Sequence, residues 1–543
     1  MGSLGFVFSG DNGISGHEPW GSNGFTTVML KDVVTSGNES SFPSGFTPIS
    51  PFGFVFSADD RTNGDELWFT SSTGASTFLL KNINTSLGSG SFPRSFVAFS
   101  PTKVLFLAAD DGGTHRLWST DGTPGGTAKL TESLGGSYSF GSNFEDPTPR
   151  FVKSGSNAYV ACTIAGSGNE LCRTDGNSVE LARDLKPGGL SSSPANLTDV
   201  AGTLFFSADS GVEGRELWKT SGSGLSLIKD IVPNIFGSFP SFLTAVSSKL
   251  VFRADDSAKF GLWASDGTNA GTIKFKDLSI PGTIESDPGN FAVLNGAAYF
   301  RATDAKNGRE LWRSDGTIGG TNLVKDIHLG SDGSNPTNFV RLGNRLYFNA
   351  FTDVTGAELW ATDGTEAGTS LVRDIRIGDE SSLSLSNVPV ELNSALLFAA
   401  TDGVNGIQLW RTDGTTAGTN LLKQIRTSPN NASIGTIVRV GNIVFFTASN
   451  GISGTELWKS DGTTDGTVLV KDIRPGSPSS SPTRLSEFNG ILLFSATNGS
   501  GVGANGSEPW RSDGTDYRPS LAQCEDSVTA SFCFYLNLRR GLP

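Results

Sequence analysis

The sequence predicts an all-β protein, a β-propeller of about ten to eleven four-stranded antiparallel blades. Its ten tryptophans recur at intervals of roughly 50 residues, apart from one double gap. Each interval carries four short β-branched or aromatic runs separated by Gly, Asn and Asp. No interval has the apolar period of 3.6 that a helical repeat requires. These observations together favour blades over helical solenoids.

The repeat has eleven copies, because Cys172 stands in the double gap, in "ELCRTDG", where other copies read "ELWRSDG". The copies are centred on Trp20, Trp68, Trp118, Cys172, Trp218, Trp263, Trp312, Trp360, Trp410, Trp458 and Trp510. We therefore assign residues 1–515 to a repeat domain and residues 516–543 to a non-repeat tail. A single large ring is favoured over two smaller propellers because the connectors show no linker-like change in composition. The first copy begins at its second strand, so the alternative that this chain is a fragment of a longer protein stays open.

The eighth copy shows the four strands in order: "PTNFVRLGNR", "LYFNAFTD", "GAELWATDG" and "TSLVRDI". Gly or Asn turns, an Asp/Asn/Gly loop and "DGT" separate them, which are turn-forming residues. The copies "ELWRSDGTIGGTNLVKDI" and "ELWKSDGTTDGTVLVKDI" resemble the ELWxxDGT repeat family. That resemblance implies a secreted or cell-surface protein and no established chemistry.

Bulk composition excludes several classes of protein. A net charge of −13 and a pI near 4.9 argue against nucleic-acid binding, which needs a basic surface. Only three histidines occur, far apart, so no histidine-based zinc site is predicted. No apolar run is long enough to span a bilayer, and the N-terminus has no signal-peptide pattern. An extracellular or cell-surface location is expected without a leader in this chain.

The four cysteines predict two disulfides. Most copies carry alanine ten residues before the tryptophan, and we expect these two positions to face each other across a hairpin. In copy four they become Cys162 and Cys172, which predicts a cross-strand bond, with two free buried thiols as the alternative. Cys524 and Cys533 are left to form a small loop in the tail. Two pairs and no odd cysteine indicate an oxidising compartment.

The recurring tryptophans are interpreted as core packing, because each is flanked by leucine and pairs with a small residue. A ring of aromatic platforms that stack on sugars is the alternative. The predicted core aromatics are Trp68, Trp118, Trp218, Trp263, Trp312, Trp360, Trp410 and Trp458.

Two other recurrent motifs have structural interpretations. The aspartate of "DGT" could bind calcium, but serine stands there in copies two and five, so turn closure is favoured. The "KDI" ending, at Lys229-Asp230, Lys325-Asp326 and Lys471-Asp472, is expected to be a solvated strand edge whose charges oppose aggregation.

Candidate binding loops join the second and third strands, on the side that also carries the connectors between copies. Their polar side chains suit hydroxyl-rich ligands or weak calcium binding, with simple solvation as the alternative. The candidates are Asp60, Asp65, Asp304, Asn307, Asp353 and Asp402. Six N-glycosylation sequons, a number that chance would also give, lie at Asn38, Asn84, Asn196, Asn431, Asn498 and Asn505.

No copy carries a distinctive catalytic constellation, so we assign no catalytic residues. The sequence therefore predicts a non-catalytic extracellular interaction or structural module that binds glycans or surface proteins. The alternative is a propeller hydrolase or lyase acting on extracellular polysaccharide, and a calcium-dependent adhesin is the third. No cofactor is expected unless the third holds, in which case it is calcium.

Overall fold

The computed structural model describes most of the chain and places the described residues in eleven sheets, which are antiparallel except for one parallel strand pair in the sheet of blade 4. Within the described residues there are strands and turns and no helix. The described ranges are 6–11, 14–22, 27–37, 39–51, 53–71, 76–86, 88–132, 138–140, 151–221, 224–257, 260–276, 288–383, 388–427, 430–488, 491–499, 508–512, 514 and 520–521. The predicted all-β fold of about ten to eleven β-propeller blades is confirmed. Blade numbers below follow the copies.

The chain divides into two compact units, the first of which includes Met1–Leu243 and holds blades 1 to 5. Blade 1 has three described strands, blade 4 has six, and the others have four. The strands are β1 (Phe6–Asp11), β2 (His17–Ser22), β3 (Thr27–Met29), β4 (Ser44–Ile49), β5 (Gly53–Asp59), β6 (Asp65–Ser71), β7 (Thr77–Lys81), β8 (Arg94–Ser100), β9 (Lys103–Ala109), β10 (His115–Thr120), β11 (Ala128–Lys129), β12 (Thr131–Glu132), β13 (Tyr138–Ser139), β14 (Val152–Ser154), β15 (Asn157–Ile164), β16 (Gly168–Thr174), β17 (Ser178–Arg183), β18 (Ala195–Val200), β19 (Thr203–Asp209), β20 (Arg215–Ser221) and β21 (Gly224–Lys229).

The second unit is Thr244–Ala522 and holds blades 6 to 11, each a four-stranded sheet with its strands in chain order. The first strand of blade 6 begins at the end of the first unit. The strands are β22 (Ser241–Val246), β23 (Lys249–Asp255), β24 (Phe260–Ser265), β25 (Ile273–Lys276), β26 (Gly289–Leu294), β27 (Ala297–Asp304), β28 (Gly308–Ser314), β29 (Asn322–Lys325), β30 (Thr337–Leu342), β31 (Arg345–Thr352), β32 (Gly356–Thr362), β33 (Ser370–Leu371), β34 (Val390–Leu392), β35 (Ala395–Ala400), β36 (Gln408–Thr412), β37 (Asn420–Lys423), β38 (Val438–Val440), β39 (Ile443–Ser449), β40 (Thr455–Ser460), β41 (Val468–Lys471), β42 (Thr483–Phe488), β43 (Ile491–Ala496), β44 (Glu508–Ser512) and β45 (Ser520–Leu521).

The register between the second and third strands differs from the expected one. In blade 7 the Cα partner of Trp312 is Phe300, and the partner of Ala302 is Glu310. The alanine and the tryptophan therefore lie diagonally on the same face of the sheet, two positions out of register. The expectation that they oppose each other directly was wrong. The residue opposite the alanine is the glutamate of "ELW".

All ten tryptophans are core residues, with exposed fractions of at most 8%. In the second unit Trp360 of blade 8 packs in one cluster with Leu311, Val324 and Ile327 of blade 7. Trp510 of blade 11 packs in the same way with residues of blade 10. Each of these indoles therefore fills the seam between its own blade and the preceding one. Burial of so large an aromatic side chain contributes about 2–3 kcal/mol.

Lysines at the end of the fourth strand span the same seam. In the "KDI" of blade 7 the Nζ of Lys325 donates to the carbonyl of Thr369 at 2.9 Å. The lysines of "KNI" in blade 2 and "KQI" in blade 9 behave alike, since Lys81 donates to Thr127 at 2.9 Å and Lys423 to Thr464 at 3.2 Å. In each case the acceptor lies in the "DGT" loop of the next blade. The edge interpretation of "KDI" was therefore wrong for Lys325, since the next blade covers the edge that it occupies.

The "DGT" loop is closed by its own aspartate. In blade 7 the carboxylate of Asp315 accepts the Thr317 N–H at 2.9 Å and the Thr317 hydroxyl at 2.6 Å. The Thr317 Oγ1 in turn accepts the N–H of Gly320 at 3.0 Å. These bonds, the side-chain bond to Thr317 most of all, hold the pKa of Asp315 below its ordinary value. The same bonds recur on Asp121, Asp266, Asp363, Asp413 and Asp461.

Gly320→Ala is expected to destabilise the fold by roughly 2–3 kcal/mol, because a Cβ there would overlap the Asp315 carboxylate. Gly319→Ala is the matched control, since a Cβ at Gly319 meets nothing within 4 Å. It should leave stability within about 0.5 kcal/mol of the parent. The urea concentrations at the unfolding midpoints of the two variants are compared. Equal midpoints would contradict the role of the Asp315 carboxylate in closing the "DGT" loop.

Candidate functional site

The loops between second and third strands lie against the connector that follows the fourth strand of the same blade. We call this surface, made of these hairpin loops and connectors, the hairpin face. In blade 7 the glycine at the loop end, Gly308, has a φ of 69°, and a Cβ there would overlap the backbone of Ser331. Gly64 and Gly356 are placed in the same way against their own connectors. Glycine is needed because the loop and the connector approach each other backbone to backbone.

Beneath the hairpin face, the glutamate of "ELW" ties the connector to the third strand. Glu310 accepts the N–H of His328 at 2.9 Å, the N–H of Ser334 at 2.8 Å and the Ser334 hydroxyl at 2.6 Å. Among the residues that the structure describes, seven such glutamates are fully buried, and each accepts a connector serine hydroxyl at 2.5 to 2.8 Å. They are Glu18, Glu66, Glu170, Glu216, Glu310, Glu358 and Glu456. The sequence reasoning did not find this role.

Blade 9 carries a natural variant of this arrangement. Gln408 replaces the glutamate, and Ala432, 24 residues later, replaces the serine that stands 24 residues after Glu310. The Gln408 Oε1 accepts the N–H of Ile425 at 2.9 Å. Its Nε2 donates to the carbonyls of Asn405 at 2.7 Å and Arg426 at 2.8 Å. The amide nitrogen of a glutamine cannot accept a hydrogen bond from a serine hydroxyl. The serine is therefore replaced in the same blade in which glutamine replaces the glutamate. This joint replacement of glutamate and serine in blade 9 is visible in the sequence and could have indicated that the two residues interact in the other blades.

Burial governs the ionisation of these glutamates. It raises the pKa of Glu216 and of Glu358 to about 7, and the hydrogen bonds to Ser238 and Ser382 offset it only in part. The pKa of Glu310 is raised for the same reason. Burial likewise raises the pKa of Asp65 to about 6.

The stability of the fold is therefore expected to fall as the pH rises from about 5 to about 8. A carboxyl whose pKa is higher in the folded state binds its proton more tightly there, so folding is favoured below that pKa. The lowered pKa values of the "DGT" aspartates act only in more acidic solution, where stability is lost as the pH falls. Urea midpoints between pH 5 and 8 measure the trend. Glu216→Gln combined with Ser238→Ala should make the fall shallower by the share of one carboxyl group, and a rising profile in the parent would contradict the expectation.

The predicted acidic loop residues are mostly satisfied within their own loops. The Asp304 Oδ1 accepts the N–H groups of Lys306 and Asn307 at 3.0 and 2.6 Å, and its Oδ2 accepts the Asn307 amide at 2.8 Å. Asp60 and Asp402 make the equivalent bonds. Asp65 accepts the hydroxyl of Ser57. These oxygens have little capacity left for a cation. In the described part of the chain no group of three acidic, histidine or cysteine side chains could hold a metal ion.

The hairpin face instead displays a recurring aliphatic side chain that the sequence reasoning missed. One β-branched residue at the tip of the hairpin loop is at least 65% exposed in five blades. These residues are Ile14, Val212, Val354, Val404 and Ile452. In the second unit the connectors add Leu329 and Ile377, which are 82% and 90% exposed. Exposed aliphatic residues that recur at one structural position mark an interaction surface.

Some of these aliphatic residues lie next to polar or charged side chains at the junctions between blades. Leu329 follows His328, and Val354 follows Asp353, whose Oδ2 is 3.1 Å from the His328 Nε2. Ile377 follows Arg376, whose Nε lies 3.1 Å from where a Cβ on Gly403 would stand, and Val404 follows that glycine. We refer to Leu329 with Val354, and Ile377 with Val404, as the seam pairs. The signal for them was the repeated apolar residue inside otherwise polar loops.

The predicted Cys162–Cys172 disulfide is present, with a Cα–Cα distance of 5.8 Å. The Cα partner of Cys162 is Glu170 and that of Cys172 is Val160, so the bond is diagonal. Both sulfurs lie in the cluster between blades 3 and 4, together with Tyr138 and Phe140. These two aromatic side chains, fully buried, occupy the seam that an indole fills elsewhere. Cys524 and Cys533 lie outside the described residues.

Replacing both Cys162 and Cys172 with alanine should destabilise the fold by about 2–4 kcal/mol, as expected for a crosslink closing so short a loop. Restoring the pattern of the other blades, with Cys162→Ala and Cys172→Trp, should not recover the loss. The Tyr138 and Phe140 rings already fill the space, so an indole would overpack the seam. Urea unfolding compares the variants, and full rescue by tryptophan would show that the seam still has room for an indole.

The sequons differ in their surroundings. Asn84 is buried and its Nδ2 donates to the carbonyl of Gly90 at 3.3 Å, which leaves no room for a glycan in the folded state. Asn196 and Asn431 are exposed, although their amide groups bond to Pro240 and Ile407. Asn498 is half-buried. Asn38 and Asn505 lie outside the described residues.

The fold and this face define a β-propeller repeat protein in which the recurring glutamates of "ELW" are buried beneath the hairpin face. No protein-family model matches the chain, and no curated protein matches it. Among solved structures it is similar to a puromycin hydrolase, with 14% identity over 73% of this chain and 61% of that one, at a TM-score of 0.26. It is also similar to a Mycobacterium tuberculosis puromycin-hydrolyzing peptidase, with 12% identity over 64% of this chain and 57% of that one, at a TM-score of 0.27.

A third similar structure is a Pyrococcus horikoshii acylaminoacyl peptidase, with 10% identity over 66% of this chain and 57% of that one, at a TM-score of 0.23. This chain thus covers less than two thirds of the length of each of these proteins. Among the described residues, no helix is long and apolar enough to cross a membrane.

Proposed function

We propose that this chain is a non-catalytic, extracellular interaction module that binds a protein partner through its hairpin face. The observation that carries the proposal is the recurrence of exposed aliphatic residues at the tips of the hairpin loops. Apolar side chains held on short, internally bonded loops suit an apolar protein surface. Membership of the ELWxxDGT family and a secreted location belong to the same proposal, on the strength of the repeated motif.

A protein partner is favoured over a glycan by two features of the same face. Sugar binding draws on exposed aromatic platforms, whereas the tryptophans are core residues. It also draws on free carboxylate and amide groups, whereas Asp60, Asp304 and Asp402 are engaged by their own loops. The glutamates of "ELW" make poor catalytic acids for the same reason, since serine and backbone donors saturate them.

The proposal is tested by screening the purified chain against arrays of extracellular protein domains and of glycans. The triple variant Val354→Asp, Val404→Asp and Ile452→Asp should lose protein binding by at least about tenfold, as removal of central apolar contacts does. Ile318→Asp is the matched control, because Ile318 is 62% exposed but lies in a "DGT" loop. It should bind like the parent. Binding to glycans alone, or equal loss in the control, would overturn the proposal.

A further inference from the structure

In several blades a basic residue stands shortly after the fourth strand and lies beside the hairpin loop of the next blade. Lys186 pairs with Asp209 of blade 5. The Nε atoms of Arg376, Arg426 and Arg474 lie 3.0 to 3.1 Å from where a Cβ would stand on Gly403, Gly451 and Gly499. Blade 7 has His328 at this position. Lysine and arginine keep their charge across the physiological pH range, whereas histidine is the residue type that can lose it there.

The surroundings of His328 require two ring protons. Its Nδ1 lies 3.1 Å from the carbonyl oxygen of Gly333, and its Nε2 lies 3.1 Å from the Asp353 Oδ2. A carbonyl and a carboxylate are both acceptors, so each ring nitrogen must donate. Only the imidazolium form does this. His328 is buried, with 8% of the residue exposed, and its ring stands edge-on to Phe351, whereas the Asp353 side chain is 77% exposed.

The charged groups around the ring favour the imidazolium. Burial lowers the pKa of His328, but the bonds to Gly333 and Asp353 and the charge of Asp332 together raise it above its ordinary value. Asp326, on the same chain segment, also interacts with His328 and with Lys306 of the blade 7 hairpin. Glu310 binds the backbone N–H of His328 and not its ring. Acidic groups thus face the ring from the connector and from the next hairpin.

We propose that His328 makes the hairpin face at blades 7 and 8 pH-sensitive, because its imidazolium holds hairpin 352–356 to connector 328–334. Loss of the proton as the pH rises removes one of the two ring bonds and the attraction to Asp353. The seam pair Leu329 and Val354, which flanks this link, then loses its fixed spacing. The effect on partner binding rests on the proposed function, whereas the loop response does not.

Hydrogen exchange of the unliganded chain at pH 6 and pH 9, corrected for intrinsic rates, tests the inference. We expect hairpin 352–356 to lose protection by roughly two- to fivefold at pH 9, the range of a partly exposed ion pair. Hairpin 450–454, adjoined by Arg426 and followed, like 352–356, by a buried glutamate of raised pKa, is the control within the same sample and should lose less protection. His328→Arg should reduce the response of hairpin 352–356 to that of the control, and Asp353→Asn should shift it to lower pH.

Imidazole NMR titration of the parent, which has only three histidines, gives a second readout that needs no variant. We expect His328 to titrate above His115, whose pKa burial lowers. The inference is overturned if both hairpins respond alike, or if the Arg variant responds like the parent. If the loop responds but no partner binds the hairpin face, the proposed function fails and this inference stands.

Discussion

Replacing Glu310 with alanine is expected to destabilise the fold by roughly 3–5 kcal/mol, the loss for several buried donors left without an acceptor. The carboxylate receives two backbone N–H groups and the Ser334 hydroxyl in a site that excludes solvent. None of the three can turn to water without opening the connector. Urea unfolding, with hydrogen exchange of the connector as a local probe, measures the loss.

The sharper test is a double-mutant cycle that reproduces blade 9 in blade 7. Glu310→Gln should cost about 1–3 kcal/mol, because one oxygen is replaced by an amide that cannot accept the Ser334 proton. Adding Ser334→Ala should recover part of that loss, as in the Gln408 and Ala432 pair. Ser334→Ala alone should be destabilising. Additive losses with no coupling would contradict the glutamate–serine link.

Trp360→Ala should destabilise the fold by roughly 3–5 kcal/mol, the cost of an aromatic side chain removed from a packed core. Because the indole lies between two blades, exchange should accelerate in β29 of blade 7 as well as in β32 of blade 8. Trp360→Phe is the graded control and should cost less, with the same two strands affected. Faster exchange confined to β32 would show that the indole supports its own blade alone.

The repeat predicted the blades and the disulfide because hydrophobic spacing and turn residues are local signals. It did not predict the register. Ala302 and Trp312 lie on the same face of the sheet whether they are direct or diagonal partners, since side chains alternate with period two. The length and shape of the hairpin loop decide between these registers, and an amino-acid pattern alone does not report that geometry.

The roles of Glu310 and Lys325 were missed for a related reason. Both residue types are usually exposed, and their partners lie in the connector or in the next blade. The repeat pattern shows which residues recur but not which loop covers them. The seven glutamate–serine pairs and the single glutamine–alanine pair were nevertheless present in the sequence as a covariation.

The hairpin loops lie beside the connectors, as the sequence predicted, but their acidic side chains bond within their own loops. Asp304 and Asn307 were taken as ligand groups, yet they close a turn within the loop. The spacing of aspartate, two residues and asparagine before glycine is itself a turn signal. The aliphatic Val354 beside these groups is the exposed feature.

The central claim, that buried glutamates tie the connectors down, is tested most directly by hydrogen exchange of the connector serines in the unmodified chain. The N–H groups of Ser192, Ser334 and Ser480 point at Glu170, Glu310 and Glu456 at 2.7 to 2.9 Å, although they belong to no strand. They should exchange within about tenfold of the amides of strand β31, and far more slowly than the exposed residues 329–332. Exchange of these serine amides at the rate of residues 329–332 would contradict the account.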